Sequence, residues 1–66
     1  MKSQWFTQRN FVAGVGDLFI AARVRDTRKT VHSGNLEHYG KYLEDRDEVE
    51  KLVTQLNNGE IVPEDL

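Results

Sequence analysis

Two histidines and a carboxylate are the residues of this chain with the best metal-ligand chemistry. His32 and His38 flank a Gly-containing turn, so across a hairpin they would face each other, with Glu37 beside them. Imidazole and carboxylate groups are common zinc ligands. The alternative, which we favour, is that both histidines are surface residues, because two histidines alone form a poor metal cage. We therefore predict no metal site and no cofactor.

Covalent and phosphate chemistry have weaker support. Ser3 lies near the N-terminus and Ser33 in an expected turn, and neither has the surroundings of a nucleophile. Residues 14–17 (Gly-Val-Gly-Asp) contain two glycines, but a phosphate-binding loop needs a helix after it, and a strand is expected here. We predict a hairpin turn instead. Catalysis also needs a dry pocket, which so small a core encloses poorly, so we expect no enzymatic activity.

An aromatic and basic set is the best candidate for a binding surface. Phe19, Arg23 and Arg25 share one face of the second predicted strand, and Tyr39 and Lys41 share one face of the third. If these two faces coincide, they present aromatic side chains flanked by cations. Such a set is typical of protein interfaces and of platforms that stack single-stranded nucleic acid. We favour protein contact, because a net charge of −2 argues against strong non-specific nucleic-acid binding. The predicted interaction surface comprises Phe19, Arg23, Arg25, Arg28, Lys29, Tyr39 and Lys41.

The elements that position these residues include an amphipathic helix at residues 46–58. Its apolar positions share one face of a 3.6-residue period. They are Val49, Leu52, Val53 and Leu56. Asp45 is a suitable N-cap, with Glu48 three residues on. Gly59 suits the left-handed position that follows a helix.

Three strands are predicted before this helix, at residues 4–14, 17–25 and 36–43. The central strand alternates between two sets of side chains. The set expected to pack against the helix is Leu18, Ile20, Ala22 and Val24, completed by Trp5 or Phe6, Leu36 and Tyr42. The set expected on an open face is Phe19, Ala21, Arg23 and Arg25. Gly40 suggests a bulge in the third strand.

The fold class that follows is α+β, a small three-stranded antiparallel sheet with one C-terminal amphipathic helix packed on one face. The element order is β-β-β-α, and residues 1–66 form a single domain. Three further segments are assigned by pattern. A strand extension is expected at residues 30–32, a return of Ile61 and Val62 onto the core, and a final turn at residues 63–65.

The charge is distributed unevenly. Residues 1–43 carry seven Lys or Arg and three Asp or Glu, whereas residues 44–66 carry two and eight. The net charges are thus +4 and −6. This asymmetry indicates an electrostatic partner, or two halves that attract each other within the fold, which is the interpretation we favour.

Size and composition limit the setting in which the chain works. A domain of about 60 residues buries only about 60% of its unfolded surface, and Cys is absent, so self-association is the expected source of added stability. A homodimer is therefore a candidate arrangement. Neither a membrane span nor the apolar core of a signal peptide is present in the sequence. We expect a soluble, cytoplasmic protein that does not enter a membrane.

The overall layout resembles small phage- or prophage-encoded accessory proteins. The resemblance lies in the Trp5-Phe6 start, the short sheet and the closing helix around residues 47–53, which ends in Leu56-Asn57. It implies a non-enzymatic role through binding, as a modulator or inhibitor of a host protein, and transfers no functional residues. The expected partner is a host protein or a second copy of this chain. The weaker alternative is a single-stranded nucleic acid held on the basic and aromatic face.

Overall fold

The computed structural model describes residues 1–30 and 32–63, although the side chain of Ser33 is outside the description. Strand β1 spans Phe6–Val12, β2 spans Gly16–Val24 and β3 spans Leu36–Leu43. Helix α1 follows at Arg46–Asn57, and a 3-10 turn at Ser33–Asn35 precedes β3. The strands form an antiparallel sheet in the order β1-β2-β3. The predicted α+β fold is thereby confirmed.

The first two strands form the predicted hairpin. Their register runs from Phe6 opposite Ala22 to Val12 opposite Gly16. The turn is closed by the Val15 N–H, which donates to the Val12 carbonyl (3.0 Å). Gly14 and Gly16 have φ of 85° and 108°, a region where only glycine is unstrained.

Asn35 organises the connection between β2 and β3. Its side-chain amide donates to the Asp26 carbonyl (2.9 Å), and its Oδ1 accepts from the Asp26 N–H (3.0 Å). In β3 the predicted bulge is present, because Gly40 has a φ of 79° and the register shifts between Phe19 and Ala21. The predicted strand extension is wrong for Thr30 and His32, which lie outside the strands, while Val31 lies outside the described residues.

Helix α1 begins and ends as predicted. The Asp45 side chain accepts from the Asp47 N–H (2.9 Å) and Gly59 has a φ of 77°. Ile61 returns to the core, as expected, whereas Val62 is exposed. The turn predicted at residues 63–65 falls largely on residues outside the description. No helix among residues 1–30 and 32–63 is long and apolar enough to cross a bilayer.

The prediction of which sheet face α1 covers is wrong. The buried cluster beneath the helix consists of Trp5, Ala21 and Leu56, with Tyr39, Val53 and Ile61 packed against it. Val49 of α1 is buried as well, at 1% exposed. Because side chains alternate along a strand, Ala21 lies on the side opposite its neighbours Ile20 and Ala22. The helix therefore covers the face that was expected to be open. Of the residues expected in the core, Trp5 is there and Tyr42 is 42% exposed. The others lie on the face opposite Ala21, namely Phe6, Leu18, Ile20, Ala22, Val24 and Leu36.

Three contacts explain how this face became the covered one. The methyl side chain of Ala21 leaves space for Leu56 beneath the helix. The rings of Trp5 and Tyr39 pack edge to face, with their centroids 6.4 Å apart. The Arg23 guanidinium lies 4.6 Å from the centroid of the Trp5 ring. Arg23 is thus accommodated beside the core by its apolar stem and a cation–π contact.

Candidate interaction surface

The sheet face turned away from α1 carries no charged side chain at its strand-paired positions. We call this face the uncovered face. Its members in β1 and β2 are Phe6, Gln8, Asn10, Val12, Gly16, Leu18, Ile20, Ala22 and Val24, and in β3 Leu36 and His38. By contrast, the paired positions of the helix side include Arg9, Asp17, Arg23 and Glu37. In a chain that is 30% charged, the separation is pronounced.

The centre of the uncovered face is already dry. Ala22 is 0% and Ile20 5% exposed, although α1 lies on the other side of the sheet. Apolar side chains around this centre remain accessible to solvent. Phe6 is 40% exposed, and Leu18, Val24 and Leu36 are half-buried. The uncovered face therefore has two buried side chains, Ile20 and Ala22, surrounded by apolar side chains that are partly exposed.

Two polar side chains on the uncovered face satisfy each other. His38 Nε2 and Gln8 Oε1 are 2.8 Å apart and share a hydrogen bond. The register places Gln8 opposite Ile20 and His38 opposite Ala22, so this bond links the two outer strands across β2. The small side chain of Ala22 leaves the space for it. Because the two groups are paired, dehydrating the face costs less than it would with unpaired ones.

The structure separates the residues that could have formed a metal site. Glu37 is on the helix side, where Lys2 and Arg23 donate to it, whereas His38 is on the uncovered face. The Nδ1 atom of His32 accepts from the Gly34 N–H (3.0 Å). Within the described residues there is no group of three His, Cys, Asp or Glu placed to hold a metal ion.

The interaction surface predicted from the sequence is divided by the fold. Arg23, Phe19 and Tyr39 lie on the helix side, where Tyr39 packs on the core and Arg23 stacks on Trp5. The expectation that they share an open face is therefore wrong. The other four members are exposed and belong to none of the strand-paired positions of the uncovered face. They are Arg25, Arg28, Lys29 and Lys41.

Phe19 instead borders a groove between the sheet and the start of α1. Thr7, Arg9 and Arg46 complete its lining, and its volume is about 190 Å³. Ligand pockets usually measure about 300–1,000 Å³. Arg46 is already paired with Glu50 (3.0 Å). The groove is thus too small to enclose a substrate of ordinary size.

Glu37 organises a cluster of cations at one end of the molecule. Its carboxylate is 5% exposed and accepts from Lys2 Nζ (2.7 Å) and Arg23 Nε (2.8 Å), with Arg25 Nε at 3.5 Å. Burial raises the pKa of Glu37, but the hydrogen bonds and charges of Lys2 and Arg23 outweigh it and hold the pKa below its ordinary value.

Asp26 lies at the same end and binds two further cations. It accepts from Arg28 Nε (3.3 Å) and is 3.5 Å from the N-terminal ammonium. The backbone N–H of Arg28 is the main cause of a lowered Asp26 pKa. With Lys29 next to Arg28, this end carries six cationic groups and two carboxylates, counting the N-terminus. We call it the basic end.

The oppositely charged halves do not neutralise each other through ion pairs. Every ion pair among the described residues joins two groups within residues 1–43 or two within residues 44–66. The favoured interpretation of the asymmetry, attraction between the halves, is not supported by these contacts. The acidic first turn of α1 follows β3 directly, at the end of the sheet opposite the basic end. The molecule is therefore polarised along its strands.

Comparison of the chain with protein-family models, with curated proteins and with solved structures gave no match.

Proposed function

We propose that this protein is a non-enzymatic interaction module that binds another protein surface through its uncovered face. The observation that carries the proposal is the absence of charge from the strand-paired positions of that face, where Phe6, Leu18, Val24 and Leu36 are partly exposed. Depletion of charge, more than overall hydrophobicity, distinguishes the centre of a protein interface from the remaining surface.

The energetics of contact support this proposal. Burying apolar surface contributes about 25 cal/mol per Å², while dehydrating an unpaired charge costs several kcal/mol. The uncovered face provides the first contribution and avoids that cost. The internal Gln8–His38 hydrogen bond further reduces the polar groups that need a partner.

The resemblance to small phage-type accessory proteins adds a biological setting to the proposal. In that setting the partner is a host protein, and binding modulates or inhibits it. A second copy of the chain is the other partner that the sequence suggests. Both partners would use the same apolar contact.

A pair of matched substitutions tests the proposal. Leu18→Lys places a charge on the uncovered face, and Phe11→Lys places the same charge on the helix side of the same sheet, where Phe11 is 72% exposed. Each variant and the wild type are used to capture proteins from source-cell extract, with quantitative mass spectrometry. We expect a partner retained by the wild type and F11K and lost by L18K. A partner retained by L18K would refute the uncovered face as the binding site.

A second candidate function, weak binding of single-stranded nucleic acid, is favoured by the basic end. Its six cationic groups outnumber its carboxylates by four. Arg28 and Lys29 are exposed there. Tyr39, however, packs on the core, which leaves phosphate contact as the main attraction. Anisotropy titration with an oligonucleotide at 50 and 200 mM salt tests this candidate, with R28A/K29A as the comparison. Affinity that is unaffected by salt or by these substitutions would contradict it.

A further inference from the structure

We infer that the uncovered face binds a second copy of this chain, so that two sheets pack face to face about a twofold axis. This inference rests on the proposed function and names its partner. The resulting dimer has four layers, helix, sheet, sheet and helix, with Leu18, Val24 and Leu36 of both copies between the two sheets. Packed sheets of this kind lie about 10 Å apart.

The flat shape of the single chain is consistent with a second copy packed on the uncovered face as a further layer. Its extents are 36 × 28 × 17 Å, so it is a thin plate. Its Cα radius of gyration is 12.1 Å, whereas a compact domain of this length is expected at about 11 Å. A second plate on the uncovered face makes the assembly thicker in its shortest dimension. That arrangement also covers the apolar side chains of the uncovered face, whose strand-paired positions carry no charge.

The available area suits a weak dimer. The strands contain 7, 9 and 8 residues. At about 3.3 Å per residue and about 4.8 Å between strands, the face measures roughly 26 by 14 Å. With the relief of the side chains included, two copies would bury about 1,000 Å², the lower limit for a specific interface. We therefore expect a dissociation constant in the micromolar range.

The charge pattern favours a second copy and fixes its orientation. The basic end lies where β2 ends, and the acidic start of α1 lies at the opposite end of the sheet. A twofold axis perpendicular to the strands places the basic end of each copy over the acidic end of the other. A twofold axis parallel to the strands would instead place the two basic ends over each other and the two acidic ends over each other. A nucleic acid is a poor occupant of this face, since its strand-paired positions carry no Lys or Arg.

Sedimentation velocity between 5 and 500 µM tests the inference. We expect the wild type and F11K to pass from monomer to dimer over this range, with dissociation constants within about 3-fold of each other. L18K should dimerise at least 100-fold more weakly, because it buries a charge at the contact. Raising salt from 50 to 500 mM should weaken the wild-type dimer. A strengthened dimer would overturn the orientation.

A measurement on the wild type alone tests the dimer even if the L18K variant does not fold. In a mixture of isotope-labelled and unlabelled chains, intermolecular NOEs should join Phe6, Leu18 and Leu36 of one copy to the same group of the other. NOEs that join the helices instead would overturn the inference. A wild type that stays monomeric at 500 µM would also overturn it. If L18K still lost a captured protein in that case, the proposed function would stand with a different partner.

Discussion

At the scale of single residues, Glu37 is a nearly buried carboxylate held by several cations. Its carboxylate is 5% exposed, yet it remains ionised because Lys2 and Arg23 donate to it at 2.7 and 2.8 Å. Arg23 in turn lies over Trp5, so the ion pair and the core share one side chain. Loss of the Glu37 charge would leave cations beside the core without a partner, which is costly.

We expect Glu37→Gln to destabilise the fold by about 2 kcal/mol at pH 7, less than for a fully buried pair because Lys2 remains partly hydrated. Since the folded pKa of Glu37 is lowered from 4.5, its contribution is present above that value and is lost as pH falls through the folded pKa. Urea unfolding of wild type and E37Q from pH 7 to 3 measures this. The difference between them should shrink below pH 4.5.

If the free energies of unfolding of wild type and E37Q differed by the same amount at every pH from 7 to 3, the proposed role of Glu37 would be contradicted. The pKa of Asp26 is lowered as well, so some dependence on acid should persist in both proteins. An Asp26→Asn variant measures how much of the remaining acid dependence of stability is due to Asp26.

Asn57 joins the end of α1 to the residue before β1. Its Oδ1 accepts from the Trp5 N–H (2.8 Å) and its Nδ2 donates to the Trp5 carbonyl (3.1 Å). Asn57→Ala should therefore cost about 1–2 kcal/mol in the free energy of unfolding. The matched control is Asn58→Ala, because the Asn58 side chain makes no hydrogen bond among the described residues. Equal losses in the two variants would show that the Trp5 contacts contribute nothing.

At the scale of elements, the Gly40 bulge sets the path of β3. With a φ of 79°, Gly40 occupies a region that an L-residue enters at a cost of about 1–2 kcal/mol. A Cβ at this position would meet no atom within 4 Å, so the cost of Gly40→Ala is purely that of the backbone. Chemical synthesis of the chain with L-Ala or D-Ala at position 40 tests this by thermal unfolding. The L form should lose stability and the D form should keep it.

Local patterns predicted the elements well because each carries its own signals. Asp45 and Gly59 bound the helix, and the glycines at 14 and 16 fix the hairpin. The period of two along β2 was also assigned correctly. It separates two sets of side chains but does not say which set meets the helix, because that depends on contacts distant in sequence.

Which face of the sheet α1 covers depends on contacts of this kind, between residues distant in sequence. Ala21 provides space, Trp5 comes from before β1, and Arg23 finds Glu37 fourteen residues away. A strand face with arginine looks exposed in the sequence, so the helix was assigned to the other one. The apolar alternation along this face is visible in the sequence and predicts a buried core there, which the structure does not show beneath the helix. The lack of charge at the matching positions of β1 is also visible in the sequence, and it distinguishes this face from the helix side.

At the scale of the whole molecule, one small core joins the sheet to the helix. Trp5, Ala21 and Leu56 are its buried members, drawn from before β1, from β2 and from α1. A core of this size supplies only about 3–5 kcal/mol. Ile20 and Ala22 are also buried, on the other face of the sheet, but the helix does not cover them. We therefore expect the sheet and the helix to unfold together.

Leu56→Ala tests this dependence on one core. Leu56 is 6% exposed, and truncating a buried leucine costs about 2–5 kcal/mol. The variant should therefore be largely unfolded at 37 °C, with Trp5 fluorescence and far-UV circular dichroism lost in the same transition. Val62→Ala is the control, because Val62 is 76% exposed and its truncation should change stability by less than about 0.5 kcal/mol. Helical signal that outlasts the Trp5 transition would show that α1 is stable without the sheet, and the single-core description would fail.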